Sequence, residues 1–295
     1  MRAGVIVPQG WTGEYAGWAP ADAWARSVAV AELADRLGFD AIWAYDHFHT
    51  VPEPTDEMTF ESFTFLTALA MRTQRVRLGQ VVLCNGFRNP ALTAKMISTL
   101  DVVSGGRAEL GIGAGWKRDE WEAYGYGFPP TRERLDALSD ALEVIGRMLA
   151  PGRATYEGEH AHVHGAINEP PGLQPPRIPI IVGGNGPERT WRLAARHADE
   201  LNIDALLPEA LERAMPVIAS RCEEVGRDPA SLPVSAHIWW AQAADAGQQR
   251  VELLAAYRDL GVSRVQMLVR DAVDSDEPLH AFAEDCRTAG VDLDR

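Results

Sequence analysis

Two hydrophobic patterns alternate from one end of the chain to the other. Short apolar, β-rich runs lie at Val5–Pro8, Ala41–Tyr45, Val76–Leu83, Ala108–Gly113, Ile178–Val182, Glu200–Ile203, Val234–Trp240 and Arg264–Val269. Between them are longer segments in which apolar residues return every three or four positions, the spacing of one helical face. In Ala21–Leu37, Trp24, Val28, Ala31 and Leu37 keep that spacing, and Gly38 stops the helix. Further helices are predicted over Phe60–Arg72, Pro90–Val103, Arg132–Leu149, Glu188–His197, Pro208–Val225 and Gly247–Leu260. Gly105, Gly226 and Gly261 each follow a helical run as a stop.

Strands alternating with helices imply βαβ units and a parallel sheet. Eight such units favour an α/β fold of the closed (β/α)8 TIM barrel type over an open sheet. One barrel takes about 250 residues, so a chain of 295 residues reads as a single barrel domain with an insertion. The insertion falls at about 152–176, between units four and five. It holds strand-like Ala154–Tyr156 and Ala161–Val163 around a Glu-Gly-Glu turn, then a Pro-rich run. The stripe Leu135, Leu138, Leu142, Ile145 and Leu149 is read as core.

Composition narrows the partners. An apolar fraction of 46% supports a sizeable core and excludes a disordered chain. No run reaches the roughly 18 apolar residues of a membrane span, and Met1–Gln9 leads into a strand rather than a signal peptide. A cytoplasmic protein without a membrane partner is expected. The net charge of −14, with no basic stripe, disfavours nucleic acid. Cys84, Cys222 and Cys286 are widely spaced and form no CxxC pair, which suits a reducing compartment.

In a barrel, chemistry gathers at the C-terminal ends of the strands, and four segments there carry unusual residues. Asp46-His47-Phe48-His49 follows the second strand. A carboxylate beside an imidazole can supply an acid/base group and hold its tautomer, although a turn-starting Asp and a satisfied buried His explain it equally. The segment 83–90 follows the third strand with Cys84 and Asn89, and Asn89-Pro90 is also a good helix start. Gly111-Ile112-Gly113-Ala114-Gly115-Trp116 ends the fourth strand as GxGxG, not the dinucleotide GxGxxG. Either its backbone approaches something flat or the barrel is tightly packed there. Gly183-Gly184-Asn185-Gly186 and Pro187 follow the buried strand Ile178–Val182 and lead into the Glu188–His197 helix. Such a loop offers N–H groups and a positive helix end to an anion such as phosphate. His160, His162 and His164 alternate in the insertion without a nearby cysteine, and no metal is predicted.

Taken together, these residues resemble the luciferase-like monooxygenase superfamily, in particular its coenzyme F420-dependent oxidoreductases. The matching stretches are WAYDHFH (43–49), VRLGQVV (76–82), FRNPALTAKM (87–96), TLDVVSGGRAELGIGAGW (99–116) and IPIIVGGNGPERTWRLAARHADELN (178–202). The likeness covers nearly the whole chain to about residue 205.

The resemblance implies an F420 ring, or alternatively FMN, across the barrel mouth. His47 would exchange the proton that accompanies a hydride, with Asp46 orienting it. Asp46 and His47 would sit beside the reactive face of the ring, and Cys84 and Asn89 would also lie beside the cofactor. Gly113, Ala114 and Gly115 would pass close to it, and Gly183, Gly184, Asn185 and Gly186 would bind its phosphate. A non-proline cis peptide at Val81–Val82 would back the ring. Trp11, Phe48 and Trp116, with Trp239 or Trp240, would wall a pocket for a small substrate with a C=C, C=N or C=O group or an alcohol. Where similar proteins often carry an amide residue, this chain has Trp116-Lys117-Arg118. Lys117 and Arg118 would suit the acidic tail of a deazaflavin. A homodimer is expected from the same resemblance. The rivals are an FMN-dependent monooxygenase and a metal-dependent hydrolase built on His47, His49, Asp46 and Glu53.

Overall fold

The computed structural model describes residues 1–239 and 245–293. Each predicted apolar run forms a strand of one parallel ring. In chain order these are β1 (Arg2–Ile6), β2 (Ala41–Ala44), β3 (Arg77–Gln80), β4 (Leu83–Cys84) and β5 (Ala108–Gly113). The insertion supplies β6 (Arg153–Glu157) and β7 (His162–Ile167), and the ring resumes with β8 (Ile180–Gly183), β9 (Glu200–Asp204), β10 (Val234–Ile238) and β11 (Arg264–Leu268). Every neighbouring pair of the ring is parallel, β1 lying between β2 and β11. The circle closes where Leu78 of β3 pairs with Ala108 of β5. Such strands are buried on both faces, which is why they read as continuous apolar runs.

The third stave differs from the unbroken strand expected at Val76–Leu83. It divides at Val81–Val82, whose peptide is cis as the resemblance implies, and β4 resumes against β5. The insertion forms an antiparallel hairpin, β6 with β7, packed on the helix before it.

The helices are α1 (Pro20–Leu37), α2 (Ser62–Ala70), α3 (Pro90–Ser104), α4 (Arg118–Ala123), α5 (Thr131–Met148), α6 (Thr190–His197), α7 (Pro208–Glu224), α8 (Gln248–Asp259) and α9 (Glu277–Thr288). α1 ends as its sequence dictates, with Gly38 in the left-handed region at φ 90°. Two helices go beyond the sequence reading. α9 buries Leu279, Phe282, Ala283 and Cys286 and packs on α1 and α8. α4 has six residues, too few to display a period. α6 starts at Thr190, not Glu188, because Trp191 N–H reaches back to Gly186 O in a turn wider than an α-helix allows.

At the floor of the barrel, where the strands begin, charges meet charges. Arg264 is 1% exposed and contacts Asp40, Glu109 and Glu200 at 2.8–2.9 Å. Arg77 binds Glu109, and Arg2 binds Asp40. Burial alone would lower the Arg264 guanidinium, but the three carboxylates outweigh it and raise it above its ordinary value.

Candidate active site

At the opposite end, where the strands stop, the loops enclose a cavity of about 410 Å³. That lies within the roughly 300–1,000 Å³ of ligand pockets. Its lining draws on every unit from β1 to β10: Trp11, Tyr45 to His47, Val81 to Cys84, Gly113 to Lys117, Gly183 to Gly186, Asp204, His237 and Trp239. α4 adds Glu120 and Trp121, and the start of α5 adds Thr131, Arg134 and Leu135.

His47 does not pair with Asp46. Its Nδ1 meets Glu120 Oε2 at 2.6 Å, and Glu120 Oε1 accepts the Phe48 N–H at 2.9 Å. Glu120 is fully buried. As a carboxylate it can only accept, which places the His47 proton on Nδ1 and leaves Nε2 as the free lone pair. Trp11 stacks flat on the imidazole, centroids 4.1 Å apart and planes 2° apart. Ring orientation is therefore fixed from an edge by Glu120 and from a face by Trp11.

Asp46 is a strut instead. Its carboxylate accepts from Ser62 Oγ (2.8 Å), from the Cys84 N–H (2.9 Å) and from both terminal nitrogens of Arg88 (2.8 and 2.9 Å). It ties the end of β2 to α2 and β4, and has no acceptor capacity left for His47. Glu120 escaped the sequence reading because it is 73 residues from His47 and sits on a helix too short to show a period.

Other expectations shift in the same way. Asn89 does not line the cavity; its Oδ1 accepts the Ala91 N–H at 2.9 Å and caps α3. Phe48 also lies outside, packed on Phe87, Tyr124 and Tyr126. Trp11, Trp116 and Trp239 do line it, and Trp240 falls outside the described residues. Cys84 lines the cavity as well, but burial first and the neighbouring Asp46 second push its thiol up to about 12. It is no nucleophile near neutrality. The rival metal set does not assemble: His49 bonds the Thr50 carbonyl and faces Asp119, and Glu53 is exposed. Among the described residues no group of three His, Cys, Asp or Glu side chains is placed to hold a metal.

The glycines have two explanations. A Cβ on Gly113 would lie 2.9 Å from Val82 Cγ2, one on Gly183 2.7 Å from Val82 Cγ1, and one on Gly115 2.4 Å from Cys84 Sγ. Tight packing of the protein on itself accounts for these three. The 183–186 loop is partly committed too. Gly184 N–H donates to Asn202 O at 3.0 Å, so it is not available to an anion. The Asn185 amide clasps the Asp204 backbone, donating to its carbonyl (2.6 Å) and accepting its N–H (3.0 Å). Among the described residues, the N–H groups of Asn185 and Gly186 make no bond within the protein.

The same cavity is lined by a residue the sequence reading passed over. Arg134, on the first turn of α5, is 8% exposed and lines the cavity. One terminal nitrogen donates to Pro129 O at 2.7 Å and the other lies 3.3 Å from Thr131 Oγ1, while its Nε is buried without a partner. Among the described residues no carboxylate pairs with it, and burial lowers its affinity for its proton. Arg134 and Thr131, together with Thr190, Asn185 and Gly186, thus line the same cavity, and among the described residues none of their donors is paired with a carboxylate. Lys117 is paired with Asp119 at 2.5 Å, and Arg118 lies outside with Glu122.

A (β/α)8 barrel that gathers a His–Glu pair, an arginine without a carboxylate partner and free backbone N–H groups around one cavity at its C-terminal mouth has the architecture of a ligand-binding enzyme. The chain belongs to the luciferase-like monooxygenase family, whose model matches residues 1–289. It is 29% identical over 257 residues to a 5,10-methylenetetrahydromethanopterin reductase of Methanolobus tindarius, covering 86% of this chain and 73% of that one. It is 37% identical over 170 residues to an F420-dependent glucose-6-phosphate dehydrogenase of Kineococcus radiotolerans, covering 57% of this chain and about half, 49%, of that one. Among solved structures it superposes on an F420-dependent secondary alcohol dehydrogenase with a TM-score of 0.80 at 19% identity, over 98% of both chains. A monooxygenase from Streptomyces bottropensis gives 0.75 at 21% identity, over 97% of this chain and 98% of that one.

Proposed function

We propose that this chain is a coenzyme F420-dependent oxidoreductase that moves a hydride between the deazaflavin and a small organic substrate with a C=C, C=N or C=O bond, or an alcohol. The observation that carries this reading is that Arg134, without a carboxylate partner among the described residues, lines the same cavity as the Glu120–His47 pair. The F420-dependent relatives favour the deazaflavin over FMN.

A phosphorylated flavin-like group fits the residues present. Arg134, Thr131, Thr190 and the N–H groups of Asn185 and Gly186 would hold the phosphate. Val81, Val82, Gly113 and Ala114 would border the ring. When bound, the cofactor supplies or accepts the hydride. The chain does the rest. His47 Nε2 takes or returns the accompanying proton, Glu120 holds the imidazole and stabilises its charged form, and Trp11 with Trp239 keeps water out. Asp46 frames this end of the site without touching the proton.

Fluorescence titration of the purified chain with F420 and with FMN tests the reading. F420 should bind at least ten-fold more tightly, about 1.4 kcal/mol. Tighter binding of FMN, or binding of neither, overturns it.

The same reading places the protein in the cytoplasm, supported by three buried, unbridged cysteines. It also makes the protein a two-fold homodimer, supported by exposed apolar Met71 after α2 and Leu92, Val102 and Val103 on α3. Sedimentation at micromolar concentration should give twice the 32.3 kDa chain mass; a monomer would remove the dimer.

A further inference from the structure

A second chain of proton-bearing groups opens on the same cavity, and nothing above uses it. Tyr45 Oη lies 3.0 Å from His237 Nε2, and His237 Nδ1 lies 2.8 Å from Asp204 Oδ1. The Trp239 indole N–H donates to the same Asp204 oxygen at 2.7 Å. Tyr45, Asp204, His237 and Trp239 all line the cavity, and Tyr45 and His237 are at most 4% exposed. The groups come from three staves: Tyr45 follows β2, Asp204 ends β9, and His237 lies in β10. The Asn185 clasp on the Asp204 backbone fixes the far end.

The donors and acceptors run in one direction. Burial would raise the Asp204 carboxyl, but the bonds from His237 and Trp239 outweigh it and hold it below the usual range. Asp204 therefore accepts, His237 carries its proton on Nδ1, and His237 Nε2 accepts from the Tyr45 hydroxyl. Tyr45 Oη is left with lone pairs and no donor among the described residues. Burial first, then Glu14 and Asp204, pushes its phenol well above the ordinary value, so it stays an O–H group. Such a hydroxyl can pass a proton along but does not lose one to water. Trp11 stands between the two proton sites, its centroid 4.1 Å from His47 and 4.3 Å from Tyr45.

We propose that Tyr45, His237 and Asp204 form a second proton relay, which binds the oxygen of a secondary alcohol or its ketone. For these substrates it exchanges the hydroxyl proton in place of His47, leaving His47 and Glu120 to a proton exchanged on the cofactor side. This rests on the hydride-transfer reading above. In the oxidation, the carbinol C–H bond breaks and its electron pair leaves as hydride to the oxidised deazaflavin, while the C=O bond forms. The alcohol proton passes to Tyr45 Oη as the Tyr45 proton passes to His237 Nε2. The resulting imidazolium is held by Asp204. Ketone reduction runs the same steps backwards, with the charged His237 donating to Tyr45 and Tyr45 donating to the carbonyl oxygen. Tyr45 touches the substrate; His237 and Asp204 act through it.

The test uses the full chain with F420, with cyclohexanol and cyclohexanone as probes, and reads imidazole ¹⁵N NMR beside turnover. In the wild type, His237 should show the Nδ1–H tautomer, and saturating cyclohexanol should shift its Nε2 signal. Tyr45→Phe, nearly isosteric, should abolish that shift and weaken the alcohol at least five-fold, with F420 affinity within two-fold. His237→Gln can still reach Tyr45 but cannot carry the proton. It should bind the alcohol near wild-type strength and lose about 10²–10⁴ in kcat, the usual worth of a general acid–base group. Wild-type alcohol affinity and turnover in both variants would overturn the proposal, as would a His237 signal that neither probe moves. If F420 does not bind but cyclohexanol still moves His237, the relay stands and the cofactor reading falls; F420 binding with an unmoved His237 is the reverse.

Discussion

At the floor of the barrel Arg264 is met by the carboxylates of Asp40, Glu109 and Glu200, whereas at the mouth Arg134, also mostly buried, is met among the described residues by a carbonyl, a hydroxyl and the face of Phe128. Removing a charge from water costs several kcal/mol unless an opposite charge is supplied. The floor supplies it from within, as three cations against three carboxylates, and so needs nothing else. The mouth leaves the cost standing, which is sensible only if an anion arrives from outside. On the proposed reading the same side chain is structure at one end and a ligand site at the other, and its partners decide which.

Breaking the floor should give the largest effect. Arg264→Leu leaves buried Glu200 without a cation and takes one of two cations from Glu109 and Asp40, and should cost about 3–5 kcal/mol of stability, measured by urea unfolding. It should also change the acid limb. Burial would raise the Glu109 carboxyl, but Arg264 and Arg77 hold it below the usual range. A depressed native value adds stability that is complete above the unfolded carboxyl value of about 4.3 and is lost as pH falls through the native one. The variant should therefore lose less stability than the wild type between neutral pH and that acid range. A near-neutral urea midpoint would show that the floor network is not what holds the strand starts together.

At the mouth, His47→Ala should lower turnover by about 10²–10⁴ while the fold and cofactor affinity change little. Retention of a third of wild-type turnover, with chemistry rate-limiting, would remove its role.

Arg134→Met sharpens the comparison most directly, because it should have the opposite sign on stability to Arg264→Leu. The cofactor-free chain should be as stable as the wild type or more so, since a buried unpaired charge is gone. F420 should bind about 10- to 150-fold more weakly, from the roughly 1.5–3 kcal/mol of a charged hydrogen bond. Loss of stability without loss of affinity would make Arg134 a second Arg264. The smallest effect belongs to Thr190→Val, about 2- to 12-fold in cofactor affinity, the range of a neutral hydrogen bond.

The barrel was legible because its signal is local: a strand buried on both faces must be apolar along its length, and a helix must repeat. Even the hairpin insertion announced itself by interrupting that rhythm. The site was legible in position and only partly in partnership. Asp46 and His47 are adjacent in sequence and lie just past the end of β2, yet the two side chains find different partners, Asp46 with Ser62 and Arg88. His47 finds Glu120 across 73 positions. Arg134 looked like one charge among several at the start of an amphipathic helix, and only burial distinguishes it. The 183–186 loop was placed at the mouth, yet Gly184 and the Asn185 side chain are used to tie β8 to β9.

The side chain of Val82 has a consequence for how this mouth can change over generations. It fills the space above both Gly113 and Gly183, residues of two other staves that are 70 positions apart. Neither glycine can acquire a side chain while the valine keeps its branches, so the three positions are not independent letters. A lineage that trims residue 82 first gains latitude at the other two together. One that begins at either glycine meets a clash, and its route is closed.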